Sequence, residues 1–178
     1  MTWEQLERLA KDCGFTNWAK LDVTTLELKQ EVRDMCEANT CGKYGACWSC
    51  PPHCGDLAQC AEDLGGMTQG ILVQVVGDVE DGFDIEAMIE LNEAYKDRFS
   101  QMYQILRASG ERVLALGAGC CTRCRKCTCP DEPCRFPQER ISSMEAYGLL
   151  VLEVCKRNGL TYYYGQDKLA YTGCFLLG

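Results

Sequence analysis

Histidine is almost absent from this chain of 178 residues, which contains His53 and no other. Cys2His2 zinc fingers, three-histidine zinc centres and the two-histidine, one-carboxylate iron site each need at least two histidines. The sequence therefore excludes all three kinds of metal site. His53 itself lies in an irregular stretch, where a histidine is often simply exposed, although a metal ligand or a proton relay also uses this side chain.

Positive charge and long apolar runs are also scarce. The chain has 18 Lys and Arg against 26 Asp and Glu, with a formal net charge of −8. Nucleic acids and anionic membrane surfaces attract basic proteins, and this chain is acidic. We therefore expect neither as a partner. No apolar run approaches the roughly 18 residues of a membrane-spanning helix. The first residues show no basic and apolar leader, so we expect a cytoplasmic protein.

The common nucleotide and hydrolase fingerprints are missing as well. No G-x-G-x-x-G follows a predicted strand, and neither G-x-x-x-x-G-K-[ST] nor G-x-S-x-G occurs. The fragment Gly117–Gly119 is too short to indicate a nucleotide-binding loop. Motifs alone therefore leave open whether the protein is an enzyme.

Cysteine is the residue that is abundant, with 15 copies, most of them in the segments 36–60 and 120–137. A secreted disulfide scaffold is the competing explanation for so many cysteines. The odd number, the crowding into two segments and the missing leader oppose it. In a reducing cytosol this pattern is typical of metal binding.

The second segment has the more informative spacing. Cys121, Cys124 and Cys127 stand at two successive C-x2-C steps, and Cys134 follows six residues later. This resembles the ferredoxin run C-x2-C-x2-C-x3-C-P, although the fourth cysteine comes later here. Zinc sites more often use two C-x2-C pairs far apart in sequence. The spacing favours an iron–sulfur cluster, with zinc and unligated thiols as alternatives.

Basic residues surround these cysteines in an otherwise acidic protein. Cations near thiolates lower their pKa values and stabilise an anionic cluster, although a solvated basic loop has the same composition. They are Arg123, Arg125, Lys126, Arg135 and Arg140. The segment 36–60 holds six cysteines among glycines and prolines, and spacing alone does not choose four of them.

Hydrophobic periodicity and capping residues predict an α+β fold with a mixed sheet of about four or five strands flanked by helices. The chain 1–178 is expected to form one domain, from which the two cysteine-rich segments extend as metal-binding loops. Cys13, Cys155 and Cys174 fall within regular elements and are predicted to be core residues. Predicted helices span about 3–13, 28–37, 56–64, 85–109 and 143–158, the last broken near Gly148; predicted strands span 70–76 and 112–116, with a closing hairpin of 162–164 and 169–176.

Two of these strands, 70–76 and 112–116, are joined by the longest helix and are predicted to form a β-α-β unit. The cysteines from Cys120 onward follow the second strand directly. Because sites in such sheets usually lie at the carboxyl ends of strands, we expect a metal loop there.

Several stretches together resemble a cysteine-rich family of uncharacterised predicted metal-binding proteins, a domain of unknown function found in anaerobic bacteria and archaea. The resemblance covers nearly the whole chain. It is carried by Arg33-Asp-Met-Cys36 through Cys41-Gly-Lys-Tyr44, Trp48-Ser-Cys50-Pro-Pro52, Cys60, Gly117-Ala-Gly119, Cys121-x2-Cys124-x2-Cys127, Pro133-Cys-Arg-Phe-Pro137 and Ser143-Met-Glu-Ala-Tyr-Gly148.

The resemblance implies two sets of four metal-binding cysteines and supplies no established reaction. By position, the first set is Cys36, Cys41, Cys50 and Cys60, and the second is Cys121, Cys124, Cys127 and Cys134. Four further cysteines are additions to that pattern, namely Cys47, Cys54, Cys120 and Cys129.

The leading hypothesis is a protein that holds two [4Fe-4S] clusters and transfers electrons to, or supports, a partner enzyme. One alternative is a structural module that binds Zn2+ and presents a surface to another protein. Another is an iron–sulfur enzyme in which an additional cysteine such as Cys54 or Cys129 meets a substrate.

Overall fold

The centre of the structure, a computed structural model that describes all residues from 1 to 178, is a mixed sheet of five strands. Its order is β1-β2-β5-β3-β4, and the fold is α+β as predicted. The helices are α1 (Trp3–Asp12), α2 (Gln30–Glu37), α3 (Leu57–Leu64), α4 (Ile85–Ala108) and α5 (Val151–Arg157); the strands are β1 (Asn17–Leu21), β2 (Gln69–Asp78), β3 (Val113–Gly117), β4 (Ser142–Ser143) and β5 (Lys168–Leu177).

Several helix boundaries follow from local chemistry. The Thr2 side chain accepts a hydrogen bond from the Gln5 amide while the Gln5 side chain accepts one from the Thr2 amide, a reciprocal cap that begins α1. Asp56 caps α3 in the same sense, by accepting from the Gln59 amide. None of the five helices combines the length and the apolar character needed to cross a membrane.

The sheet has a hydrophobic core on each face because successive strand side chains point to opposite sides. On β2, Ile71 and Val73 pack against α1 and α4, whereas Leu72 packs against α5. Tyr95 and Phe99 of α4 are buried in the same core as Ile71 and Val73. The three cysteines predicted to be core residues are also buried, namely Cys13, Cys155 and Cys174.

The predicted β-α-β unit is present in a split form, since β2 and β3 run parallel to each other but β5 lies between them and pairs antiparallel with both. One prediction about the strands is wrong. Residues 162–164 form no strand, so β5 has no hairpin partner there. The Tyr164 hydroxyl instead donates to the Gln74 side chain (2.8 Å) and accepts from Asn17 (3.1 Å), which fixes this segment as a loop over β1 and β2.

The predicted helix 143–158 is interrupted, and its first residues form a strand that anchors the end of the cysteine-rich loop to the sheet. Ser142 and Ser143 form β4, which pairs in parallel with the end of β3, and α5 starts only at Val151. Gly148 stands between them with a φ of +80°, a left-handed conformation that favours glycine. Residues 118–141 therefore leave the sheet from β3 and return to it beside the same strand.

Candidate metal centre

The two cysteine-rich segments form irregular loops that pack against each other at the carboxyl end of β3. Residues 38–56 connect α2 to α3, and residues 118–136 follow β3; neither contains a helix or strand. The Trp48 indole donates to the Glu132 carbonyl (3.0 Å), and the Cys129 thiol donates to the Gly45 carbonyl (3.5 Å). The buried Ser49 hydroxyl accepts from the Cys121 amide (2.9 Å). Each loop thus supplies backbone partners to the other.

The predicted second set of cysteines lies around one cavity of about 370 Å³, which we call the 121–134 cavity. All four side chains of that set line it, and each is partly exposed. Three of the additional cysteines also reach its wall. The set is Cys121, Cys124, Cys127 and Cys134, and the additional ones are Cys47, Cys120 and Cys129.

Four basic side chains of the second loop line the 121–134 cavity in addition to Lys43 of the first loop, so its surroundings are cationic. Arg123 is fixed in place because it pairs with Glu139 (2.6 Å) and lies over the Phe136 ring at 4.0 Å. Arg135 donates to the Lys126 carbonyl (3.0 Å). This arrangement favours an anionic occupant.

The predicted first set is only partly brought together. Cys36, Cys41 and Cys50 line a second cavity of about 410 Å³, which we call the 36–50 cavity. Cys60, on α3, lines neither cavity and is completely buried in the core under α5. Cys120 lines the 36–50 cavity, together with Lys43, Lys96 and Glu145.

Burial keeps several thiols protonated near neutral pH. It raises the pKa of Cys60 to about 11 and those of Cys155 and Cys174 to about 12. A thiol must lose its proton to bind a metal or to act as a nucleophile. The last two cysteines therefore behave as small apolar core groups, as their sequence positions predict.

Three thiols at the junction of the loops share hydrogen bonds. The bonds with Cys120 and then with Cys50 lower the pKa of Cys47. The same bonds with Cys47 raise the pKa of Cys50 and of Cys120. The Ser49 hydroxyl, 3.3 Å from the Cys47 sulfur, adds to this network. Cys47 is therefore the sulfur of this group that loses its proton most readily.

Arg33 joins the first loop to the segment before α5. Its guanidinium donates to the Ala146 carbonyl (2.6 Å) and to the Gly55 carbonyl (2.8 Å). The same group lies 3.5 Å from the Cys54 sulfur and 4.0 Å from the Cys60 sulfur. Arg33 therefore occupies the space beside both buried thiols.

Sequence reasoning assigned no role to Arg33, Ser49 or Lys96. Arg33 and Ser49 fall inside stretches that carry the family resemblance, and this position could have marked them as candidate site residues. Lys96 follows a core tyrosine on α4, and nothing in the sequence indicates that it lines a cysteine cavity. His53 lies outside both cavities, with its ring edge-on to Trp48 at 4.9 Å.

Comparison with known proteins gives one result. A family model described as "Predicted metal-binding protein (DUF2284)" matches residues 19–177, which include every cysteine except Cys13. A search of the curated proteins and a search of the solved structures find no match to the chain. Since the matched range covers nearly all of the sheet, both loops and both cavities, the chain belongs to the family of predicted metal-binding proteins, DUF2284.

Proposed function

We propose that the protein is a cytoplasmic iron–sulfur protein that holds two [4Fe-4S] clusters and exchanges electrons with a partner enzyme. The observation that carries the proposal is the 121–134 cavity, where a C-x2-C-x2-C run and a later cysteine meet among basic side chains. Thiolates select soft metals, above all iron–sulfur clusters, zinc and copper(I). Bound clusters of this kind accept and donate single electrons.

The distribution of the cysteines over the walls of two cavities supports a cluster over a single ion. A structural zinc ion needs four ligands, with each sulfur about 2.3 Å from one point. No group of three or more Cys, His, Asp or Glu side chains already has the geometry of a site for one ion, although Cys47, Cys50 and Cys120 share hydrogen bonds. The cysteines instead stand around the walls of two cavities, of about 370 Å³ and about 410 Å³. That arrangement suits a cluster of several irons, each bound by a different thiolate.

The chain's own residues prepare the 121–134 cavity for an anion. Its walls would supply four thiolates, one for each iron of a [4Fe-4S] cluster, from Cys121, Cys124, Cys127 and Cys134. Arg123 is held by Glu139 and Phe136, so its charge remains at the cavity wall without further ordering. Four thiolate ligands favour electron transfer over substrate binding at iron, which is why we propose a redox partner rather than a substrate.

The 36–50 cavity would hold the second cluster. Cys36, Cys41 and Cys50 line it and would supply three thiolates, and the family resemblance proposes Cys60 as the fourth. Lys43 and Lys96 bring two positive charges from distant parts of the chain to this cavity, against the single carboxyl group of Glu145. Charge balance of this kind lowers the energy of an anionic occupant in partly buried surroundings.

Anaerobic purification followed by metal and sulfide analysis tests the proposal. We expect a brown protein with a broad absorption shoulder at roughly 400 nm that bleaches with dithionite, and about eight irons and eight sulfides per chain. Zinc in stoichiometric amount, with no visible absorption and no inorganic sulfide, would overturn it. That second result would identify a structural zinc module.

A further inference from the structure

Cys120 is the cysteine whose position connects the two cavities. Its side chain lines both the 121–134 cavity and the 36–50 cavity. It stands three residues after Gly117, the last residue of β3, so the sheet fixes where this part of the loop begins. Neither its spacing in the sequence nor the family resemblance assigns it a role.

We infer that Cys120, rather than Cys60, is the fourth thiolate of the metal site in the 36–50 cavity. The inference rests on the proposed function, because it assumes that thiolates bind a metal group in each cavity. The site then consists of Cys36 and Cys41 from the end of α2 and the loop after it, Cys50 from the same loop, and Cys120 from the loop after β3.

The surroundings of Cys60 argue against a ligand role for this residue. Its side chain is completely buried and packs in the core between the sheet and α5. The Arg33 guanidinium lies 4.0 Å from its sulfur and is held there by the Ala146 and Gly55 carbonyls. For the Cys60 thiolate to reach the cavity that contains Cys36, both the core packing and these hydrogen bonds would have to be rearranged.

Cys120 needs no such rearrangement. It is partly exposed and already lines the same cavity as the other three thiols. Cys121, the next residue, lines the 121–134 cavity and not the 36–50 cavity. Two adjacent cysteines are poorly placed to bind one cluster, whereas side chains that diverge can bind two separate groups.

The consequence is that consecutive residues would provide one ligand to each metal group. The path from one group to the other would then pass through a single peptide bond, between Cys120 and Cys121. The Ser49 hydroxyl holds the Cys121 amide at 2.9 Å and so fixes this bond from the opposite loop. Two clusters bound by adjacent residues lie close together, so we expect them to interact magnetically when both are reduced.

Two alanine variants of the full-length protein, purified anaerobically, separate the candidates. We expect Cys120→Ala to lose about half of the iron and sulfide, and Cys60→Ala to keep all of it, because only the former removes a ligand. Cys54→Ala is the matched control, since Cys54 is buried and also contacts Arg33. Full iron in Cys120→Ala, or loss of half the iron from folded Cys60→Ala, would overturn the inference.

A folding check and a second readout keep the result interpretable. If Cys60→Ala fails to fold by circular dichroism, Cys60→Val, which keeps the buried position apolar and offers no ligand atom, replaces it in the comparison. In the electron paramagnetic resonance spectrum of the dithionite-reduced protein, we expect splitting between two centres that disappears in Cys120→Ala. Splitting that persists in this variant at full iron content would contradict the inference.

The wild-type protein distinguishes a failure of this inference from a failure of the proposed function. Zinc without iron in the wild type would refute the proposed iron–sulfur function, whatever the variants show. Iron and sulfide in the wild type together with full iron in Cys120→Ala would refute the ligand assignment alone.

Discussion

Replacing Arg33 with alanine should weaken the contact between the first cysteine loop and the segment before α5. Arg33 donates to the Ala146 carbonyl at 2.6 Å and to the Gly55 carbonyl at 2.8 Å. The Gly55 carbonyl belongs to the irregular first loop, and the Ala146 carbonyl belongs to a short 3-10 turn (Glu145–Tyr147) between β4 and α5. The substitution removes both bonds and leaves the Cys54 thiol, a weak donor, as the remaining partner of the two carbonyls.

The size of the effect follows from these two bonds. A hydrogen bond to a charged group contributes about 1.5–3 kcal/mol to stability, and bonds from one group are not additive. Since Arg33 is partly exposed and water reaches part of the gap, we expect Arg33→Ala to lower the free energy of unfolding by about 2–4 kcal/mol. Arg33→Lys should recover only part of this loss, because a single ammonium lacks the planar fork that reaches both carbonyls.

The assay is anaerobic urea denaturation followed by circular dichroism, together with the rate at which a chelator removes the metal. The matched control is Arg112→Ala, because Arg112 also donates to two carbonyls, those of Gly65 (2.7 Å) and Asp63 (3.0 Å), and lines neither cavity. We expect both variants to lose stability and only Arg33→Ala to lose metal faster. Equal metal loss in the two variants, or unchanged stability of Arg33→Ala, would refute the reasoning.

Three further predictions concern the loops and the sheet. Cys124→Ser should lose about half of the iron, whereas Cys155→Ala should keep all of it and cost at most about 3 kcal/mol of packing, as iron analysis and urea denaturation would show; the reverse pattern would contradict the ligand assignment. Ser49→Ala should leave the half-buried amide of Cys121 without its acceptor, lower stability by about 1–3 kcal/mol and speed the removal of metal by a chelator. An unchanged rate would count against this contact between the loops. Gly173→Ala would place a methyl group 2.8 Å from the Leu116 carbonyl oxygen and against the Tyr95 hydroxyl, so a calorimetric scan should show a lower melting temperature, and an unchanged one would be inconsistent with this packing.

Local signals in the sequence predict most of the helices and the strands that they flank. The reciprocal cap of Thr2 and Gln5 and the cap at Asp56 depend only on neighbouring residues. The partner of β5 depends on residues about a hundred positions away, since Gly70 pairs with Leu176. Periodicity shows that such a strand is buried, but it carries no information about which strand lies beside it.

The metal site shows the same division between local and distant information. The C-x2-C-x2-C spacing is local, and its three cysteines line one cavity together with Cys134. The position of Cys60 on α3 is also local, but the direction of its side chain depends on how α3 packs against the core. The adjacency of Cys120 and Cys121 is visible in the sequence, whereas the two cavities that they line appear only in the fold.

The position of β5 has a consequence for how the protein is made. Both cysteine segments precede residue 168, so the ribosome releases them before the strand that joins β2 to β3 exists. Until then β3 has no antiparallel neighbour, and the loop that follows it has no fixed starting point. Long-range pairing of this kind forms slowly because its loop-closure entropy must be overcome first. We therefore expect metal delivery to follow synthesis of the whole sheet, and nascent chains that stop before residue 168 to remain metal-free.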